Sequence, residues 1–448
     1  MLKNFRARRA GALACATVAY ACTLHASEPA ASDAAFANGV DRVGLVRAAV
    51  GRSPSVRAAQ GRARAMKREG DAASRLPPPT AMVQIWQVPL AKPYAVGDAQ
   101  MAMLGLEQEF PAPGARGERE AAKADLAREG DAMAADRARL VARDAEHAFA
   151  DYAEATTRHR IHLAHSDVDA RMLRVAQARQ STGGSVVEIA RIEAELARSQ
   201  ADVATDEARQ EAARVRINAL LGRDLAAPLG PPLEGPPEVP AWDAATLVAK
   251  ARAARPELKG ARAAQDAEAR ELAAAEREAA WPSFKIAGLY FAPVGPMPAH
   301  GYGVNASMTL PWLWGAAGAR RDVEREKLEA AGSEVEAQRL AVDVDVATAA
   351  ATTKSAARRL AILTTRAKPA AQRAYDVAWD GYESGRADLG GALVAERAVV
   401  DIDLELVMAR ATLEHALADL DAAAGEPVPR VPLASLAASA PSGGDHGH

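Results

Sequence analysis

Glu109-Phe110-Pro111-Ala112-Pro113-Gly114-Ala115-Arg116 is answered 200 residues later by Thr309-Leu310-Pro311-Trp312-Leu313-Trp314-Gly315, followed by Ala319-Arg320. Each stretch closes an alternating, strand-like segment at a proline and opens a very long helical run. Pro111 and Pro311 lie 200 positions apart and Arg116 and Arg320 lie 204 apart. Ser53-Pro54 and Arg255-Pro256 are separated by 202 positions, as are Gly183 and Gly385. Landmarks in one order at near-constant spacing identify a duplicated unit. Each copy reads as a helix, a short strand, a loop, a short strand and a helical hairpin.

Working outward, the first copy covers 41–222. Its opening helix, 41–75, ends where Leu76-Pro77-Pro78-Pro79 forbids continuation. Strands at about 80–88 and 100–110 flank a loop rich in Pro, Gly and Asp. A helical hairpin over 114–222 turns at 181–184, Ser181-Thr182-Gly183-Gly184. A proline-rich linker, 223–241, leads to the second copy, 242–425. That copy has a helix to Ala280, strands at about 283–291 and 302–310, and a hairpin over 316–425 with its tip at 384–389. Residues 27–40 read as a small-residue linker and 426–448 as a disordered tail. Leu126, Met133 and Leu140 recur every seven residues, and Val186, Ile189, Ile192, Leu196 and Val203 carry a stripe back along the return helix. Such spacing predicts coiled-coil packing of helices on the order of 100 Å long. Leu340-Ala341-Val342-Asp343-Val344-Asp345-Val346 alternates like a strand, yet its unbroken helical context predicts helix.

Composition narrows the function. Lys and Arg number 55 against 58 Asp and Glu, a net charge of −3 that does not suggest a nucleic-acid partner. Aromatics are only 4%, as suits long helices. Lys3, Arg6, Arg8 and Arg9, the short apolar run to Leu24 and Ala19-Tyr20-Ala21 predict an export signal over 1–26. Cleavage after Ala21 would expose Cys22 for a lipid anchor. Lipidation signals usually carry Leu three residues before the Cys, where this chain has Ala19, so an unlipidated terminus is the favoured expectation. Both cysteines, Cys15 and Cys22, lie in this region, leaving no thiolate site in the body of the chain. No later segment is apolar enough for a transmembrane helix. No phosphate loop, nucleophile elbow or helical His-Glu-x-x-His occurs, so neither an enzyme nor a cofactor is expected.

The strands carry the functional signal. Tyr302, Val304, Ala306, Met308 and Leu310 alternate with Gly303, Asn305, Ser307 and Thr309. Ala102, Leu104, Leu106 and Phe110 share one face of their strand, and Glu107 and Glu109 point the opposite way. About 9–11 alternating residues is the length of an outer-membrane strand, with lipid on one side and water on the other. Trp281, Trp312 and Trp314 fall at one end of the second strand pair and Tyr290, Phe291 and Tyr302 at the other, as two membrane interfaces require. Four strands cannot close a barrel, for which about eight is the usual minimum, and an open edge cannot sit in lipid. Spanning strands therefore demand a homo-oligomer. A soluble periplasmic coiled-coil scaffold is the alternative of another class.

With these features the chain resembles the TolC family of outer-membrane efflux factors over 41–425. The duplicated order, the two strand-to-helix junctions and the tip Tyr382-Glu383-Ser384-Gly385-Arg386-Ala387-Asp388-Leu389 carry the resemblance. It implies a mainly α fold with a small β part: long antiparallel helical hairpins forming an α-barrel, and four strands per chain contributing to a trimeric transmembrane β-barrel. It also implies a homotrimer in the outer membrane of a Gram-negative bacterium, in contact with lipid and reaching far into the periplasm. A periplasmic adaptor protein and an inner-membrane pump dock at the tip. The first junction looks most like the heavy-metal branch, served by resistance–nodulation–division pumps. A duct for drugs or for a type I secreted protein is the alternative within the family. The two Gly-Gly pairs, Gly183-Gly184 and Gly390-Gly391, depart from the family's tips.

Candidate sites follow. Asp388 and Arg386, with Gly183, Gly184 and Gly385, are expected at the tunnel's periplasmic tip, where a ring of carboxylates would attract cations. Asp388 serves equally as an ordinary N-cap. Glu107 and Glu109 are expected to face the lumen. His159, His162 and His165, at i, i+3 and i+6, spread over too wide an arc for more than two to share a metal. A solvated helix face is their expected role. His446 and His448 could bind a divalent ion weakly.

Overall fold

The computed structural model describes residues 33–99, 101–180, 186–240, 244–293, 300–384 and 386–433. The expected signal peptide, Cys22, Gly183, Gly184, Gly385, and the tail beyond 433 with His446 and His448 lie outside the described residues.

Proline sets the first departure from expectation. The single opening helix is two: α2, Arg42–Arg52, and α3, Pro54–Ala73. A residue before proline is pushed out of the α region, and Ser53 has ψ 121°. Its hydroxyl accepts from Val56 N at 3.4 Å, capping α3. The second copy breaks identically at Arg255-Pro256 into α6, Ala244–Ala254, and α7, Pro256–Ala280. Asp41 caps α2 by accepting from Val43 N and Gly44 N. The span read as a linker before it contains a helix, α1, Asp33–Asn38, because Phe36 is apolar and buried.

Strands β1, Thr80–Trp86, β2, Met101–Phe110, β4, Phe284–Pro293, and β5, Gly301–Met308, form one antiparallel sheet in the order β1-β2-β4-β5. The two copies thus meet at the β2–β4 pair, where Leu104 faces Tyr290 and Phe110 faces Phe284. Each hairpin of strands leads into a long helix through a left-handed glycine, Gly114 at φ +83° and Gly315 at φ +72°.

The first long helix, α4, runs over Ala115–Gln180, 66 residues or about 100 Å, and α5 returns over Val186–Leu221. In the second copy the expected unbroken helix is interrupted. It comprises α8, Ala316–Ile362, a π-turn at Leu363–Ala367, and α9, Lys368–Glu383, before α10 returns over Leu389–Ala424. Pro369 explains the interruption. Its ring cannot sit over the carbonyl four residues back, and the wider turn, with Lys368 N bonded to Leu363 O, relieves the clash.

Helices lie side by side in a layer four deep. Near the sheet, α4 packs between α3 and α7, and α7 packs on α8; farther away, α4 packs between α5 and α10, and α10 on α8 and α9. The changeover is held by equivalent cores. Leu45 and Ala49 pack with Val141, Ile217 and Leu221; Leu247 and Ala251, each 202 positions later, pack with Val342, Val346 and Leu420. Val342 and Val346 are one turn apart and buried while Val344 is exposed, so the strand-like alternation resolves as one helix face. The residues expected to be linker and disordered tail also order here: β3, Glu238–Pro240, pairs with β6, Arg430–Pro432. Val239, Val431 and Leu433 join a core with Leu360, Leu413 and Leu417, which is the apolar burial that a disordered tail lacks.

Burial along α4 follows a seven-residue spacing, one position out of the expected phase. One line of buried positions on α4 is Ala134, Val141, Ala148, Ala155, His162, Asp169 and Ala176, every seventh residue, beside others such as Ala145, Tyr152, His165 and Met172, whereas Met133 is 53% exposed. On α5 the matching seam is Ile192, Ser199 and Asp206. Small side chains let the helices approach closely, so alanine fills the seam and bulkier residues flank it.

Candidate membrane sheet, helical tip and buried polar layer

Alternation and register put most of the exposed apolar side chains of the four strands on one face, Trp86 at the end of β1 falling on the other. Val83 and Ile85 of β1 stand beside Leu104 and Leu106 of β2, then Phe284, Ile286 and Tyr290 of β4, then Tyr302, Val304 and Met308 of β5. Val83 is 70% exposed and Val304 80%. Water does not tolerate a contiguous apolar face of this size, whereas hydrocarbon does. The longer strands have 10 residues, about 33 Å, or about 23 Å across the sheet if tilted by about 45°.

Aromatic side chains sit at both ends of this face. Trp281 terminates α7, and Trp312 and Trp314 stand in the turn before α8, all exposed and all at the helical end. Tyr290 and Tyr302 pair at the distal end with ring centroids 5.8 Å apart, and the Tyr290 hydroxyl lies 2.5 Å from His300 Nδ1.

Glu107 and Glu109 lie on the opposite face, together with Lys285 of β4. The lysine Nζ is 3.7 Å from Glu107 and 3.6 Å from Glu109. Two carboxylates and one ammonium leave a local surplus of one negative charge. Lys285 could have been assigned to this face from its alternation with Phe284 and Ile286, but its contact with the glutamates depends on β2–β4 pairing between the copies.

At the second tip Asp388 caps α10, its carboxylate accepting from Gly391 N at 3.2 Å. Arg386 is held by its own turn, donating to Ser384 Oγ at 2.9 Å. The flanking Tyr382 and Leu389 pack inward, Leu389 joining Met172, Ala176, Ile189 and Ile192 of the first hairpin.

The histidines separate, and a solvated face is not what His162 and His165 form. Both are buried. His162 Nδ1 lies 2.6 Å from Asp206 of α5, and Arg209 and Arg158 reach the same carboxylate at 2.9 and 3.5 Å. His165 instead stands between Asp169, 3.6 Å away on its own helix, and Glu396 of α10, at 3.4 Å. The Glu396 carboxylate holds His165 above the usual imidazole range, with burial opposing, and burial pushes Asp169 up. His159 joins neither group. The seven-residue repeat hid these residues because it places polar side chains where a seam is ordinarily apolar. Glu396, on a distant helix, left no local signal. A third polar group lies toward the sheet: His415 Nε2 is 2.9 Å from Asp151 and His147 Nε2 is 3.1 Å from Asp419, with the two imidazoles 4.7 Å apart.

Residues 247–426, from α6 to the end of α10, match the family described as outer membrane efflux protein. No curated protein sequence matches the chain. Among solved structures, the outer-membrane channel OprN is similar at 21% identity and a TM-score of 0.69, over 86% of this chain and 89% of that one. The outer membrane protein VceC of Vibrio cholerae is 16% identical, with a TM-score of 0.70 over 86% and 96% of the two chains. CusC, described for its folding and transmembrane channel formation, is 15% identical with a TM-score of 0.73 over 86% and 92%. At these identities the likeness is one of fold, and it extends across both repeats.

Proposed function

We propose that this protein is the outer-membrane exit duct of a tripartite efflux system, a homotrimer whose pooled strands make one barrel continued by a helical tunnel. The observation that carries this reading is the four-stranded sheet. It combines an exposed apolar face between two aromatic ends, two unpaired edges at β1 and β5, and direct continuation into helices about 100 Å long. A soluble scaffold has no use for such a face. The family match over the second repeat and the fold of OprN, VceC and CusC support the same reading.

Passage through such a duct is passive, and an inner-membrane pump and periplasmic adaptor supply the work and the choice of cargo. Arg386 and Asp388, in the turn between α9 and α10, would meet those partners, and Asp388 would shape the mouth while capping α10. We take heavy-metal cations as the cargo, on the strength of the Glu109–Gly117 junction. Growth of a deletion strain on zinc, cobalt, cadmium and copper, beside a drug panel, tests this. Metal sensitivity is expected. Unchanged metal tolerance with new drug sensitivity would transfer the duct to drugs. Recovery of the protein in the soluble periplasmic fraction, without detergent, would remove the duct altogether.

A further inference from the structure

Asp169 and Asp206 occupy equivalent positions in the same coiled coil and are both fully buried, yet only one is neutralised. Asp206 has His162, Arg209 and Arg158 around it. Neither oxygen of Asp169 has a hydrogen-bond partner, and Nδ1 of His165 also lacks one. Among the described residues no lysine or arginine reaches Asp169 or Glu396, and the neighbouring Arg397 is taken by Glu195 at 2.5 Å. Two buried carboxylates around one imidazole leave at least one negative charge without a counter-ion even when the ring is protonated, an arrangement that low-dielectric surroundings penalise heavily.

The geometry supplies what the charge lacks. His165 and Asp169 are one turn apart on the same face of α4; Asp169 faces the ring's Nε2 at 3.6 Å and Glu396 of α10 faces Nδ1 at 3.4 Å, so a single ion would take one ring nitrogen and draw the other carboxylate to it. One donor atom from each of the three can be chosen so that all lie within 4.8 Å of one another. The His165 Nδ1 to Glu396 separation of 3.4 Å matches the edge of a tetrahedron around Zn2+, which is about 3.4 Å for bonds of about 2.0–2.2 Å. An imidazole and two carboxylates, with a water in the fourth position, make a nitrogen–oxygen donor set suited to a divalent transition ion and unsuited to a soft monovalent one. On the side toward the tip the layer is closed by apolar Met172, Ala176, Ile192 and Leu389.

We propose that His165, Asp169 and Glu396 form a divalent transition-metal site that clasps the first hairpin's outgoing helix to the second hairpin's return helix above the tip. The site lies within one chain and is independent of the cargo reading. A metal there would stiffen the contact between hairpins whose tips must meet partner proteins.

The experiment uses the full-length protein, purified in detergent, stripped with chelator and dialysed against Zn2+. The expected result is one equivalent bound per chain. It should be kept in His446→Ala/His448→Ala and weakened at least tenfold in Asp169→Asn/Glu396→Gln. Co2+ should give the visible band of a tetrahedral site in the first two proteins and not in the third. The metal-free double variant should melt no lower than the metal-free parent, because it removes uncompensated charge, and Zn2+ should raise the melting temperature of the parent alone. Should the double variant fail to fold, His165→Gln carries the same comparison. Absence of Zn2+ uptake, or uptake and melting shifts equal in parent and variant, would overturn the proposal and leave the cluster as an imidazolium held between two carboxylates.

Discussion

Asp206 shows how the packed helix pair α4–α5 tolerates buried charge. It is reached by an imidazole and two guanidinium groups, so that removing it strands the buried His162 and the largely buried Arg158, Arg209 being free to turn to solvent. Asp206→Ala should cost about 3 kcal/mol, the size of effect seen when one partner of a buried pair is lost. Denaturant unfolding of the detergent-solubilised protein measures it, and a change within 0.5 kcal/mol, roughly the scatter of a surface substitution, would contradict the account. His415 gives the pH dependence. Its hydrogen bond to Asp151 raises its pKa above the ordinary 6.5, against burial, while Asp151 is lowered despite its own burial. A raised histidine contributes stability that is full below pH 6.5 and lost as pH climbs through the folded value. The melting temperature should therefore fall between pH 6 and pH 8, roughly spanning that histidine's range, and His415→Gln should flatten that fall. At this scale the fold was least legible in the sequence. Nothing adjacent to Asp206 or Glu396 announces their partners, since each contact is made by a helix that returns only after a hairpin.

Elements were far more legible, because their boundaries rest on local chemistry. Prolines, glycine landmarks and alternating strands announced the duplicated order and the course of each helical hairpin. The misreadings were local as well. The Ser53-Pro54 and Arg255-Pro256 landmarks proved to be helix breaks, Pro369 forced a π-turn, and the seam ran one residue away from the bulkiest side chains. In the sheet, alternation alone separates the two faces, and it makes a paired prediction. Val304→Arg, on the apolar face, should destabilise the membrane-inserted protein by about 2–4 kcal/mol, whereas Asn305→Arg, on the opposite face, should cost far less. Urea unfolding in lipid vesicles compares them, and equal costs would contradict the assignment of faces.

The whole molecule is a layer of four helices beneath a sheet of four strands, each open at both sides. Neither is complete alone. The β1 and β5 edges carry unpaired backbone groups that lipid would not forgive. In the proposed trimer three chains close these edges on one another, and disulfides between paired cysteines report that closure. Cys15 and Cys22 are the natural cysteines, and Cys22→Ser leaves no natural thiol beyond the expected cleavage at Ala21. Single cysteines placed along 81–85 of β1 and 302–306 of β5, combined in pairs and oxidised in outer-membrane vesicles, should yield a covalent trimer for the pairs in register. A gel showing only monomer for every pair, with the protein in the membrane fraction, would contradict the account.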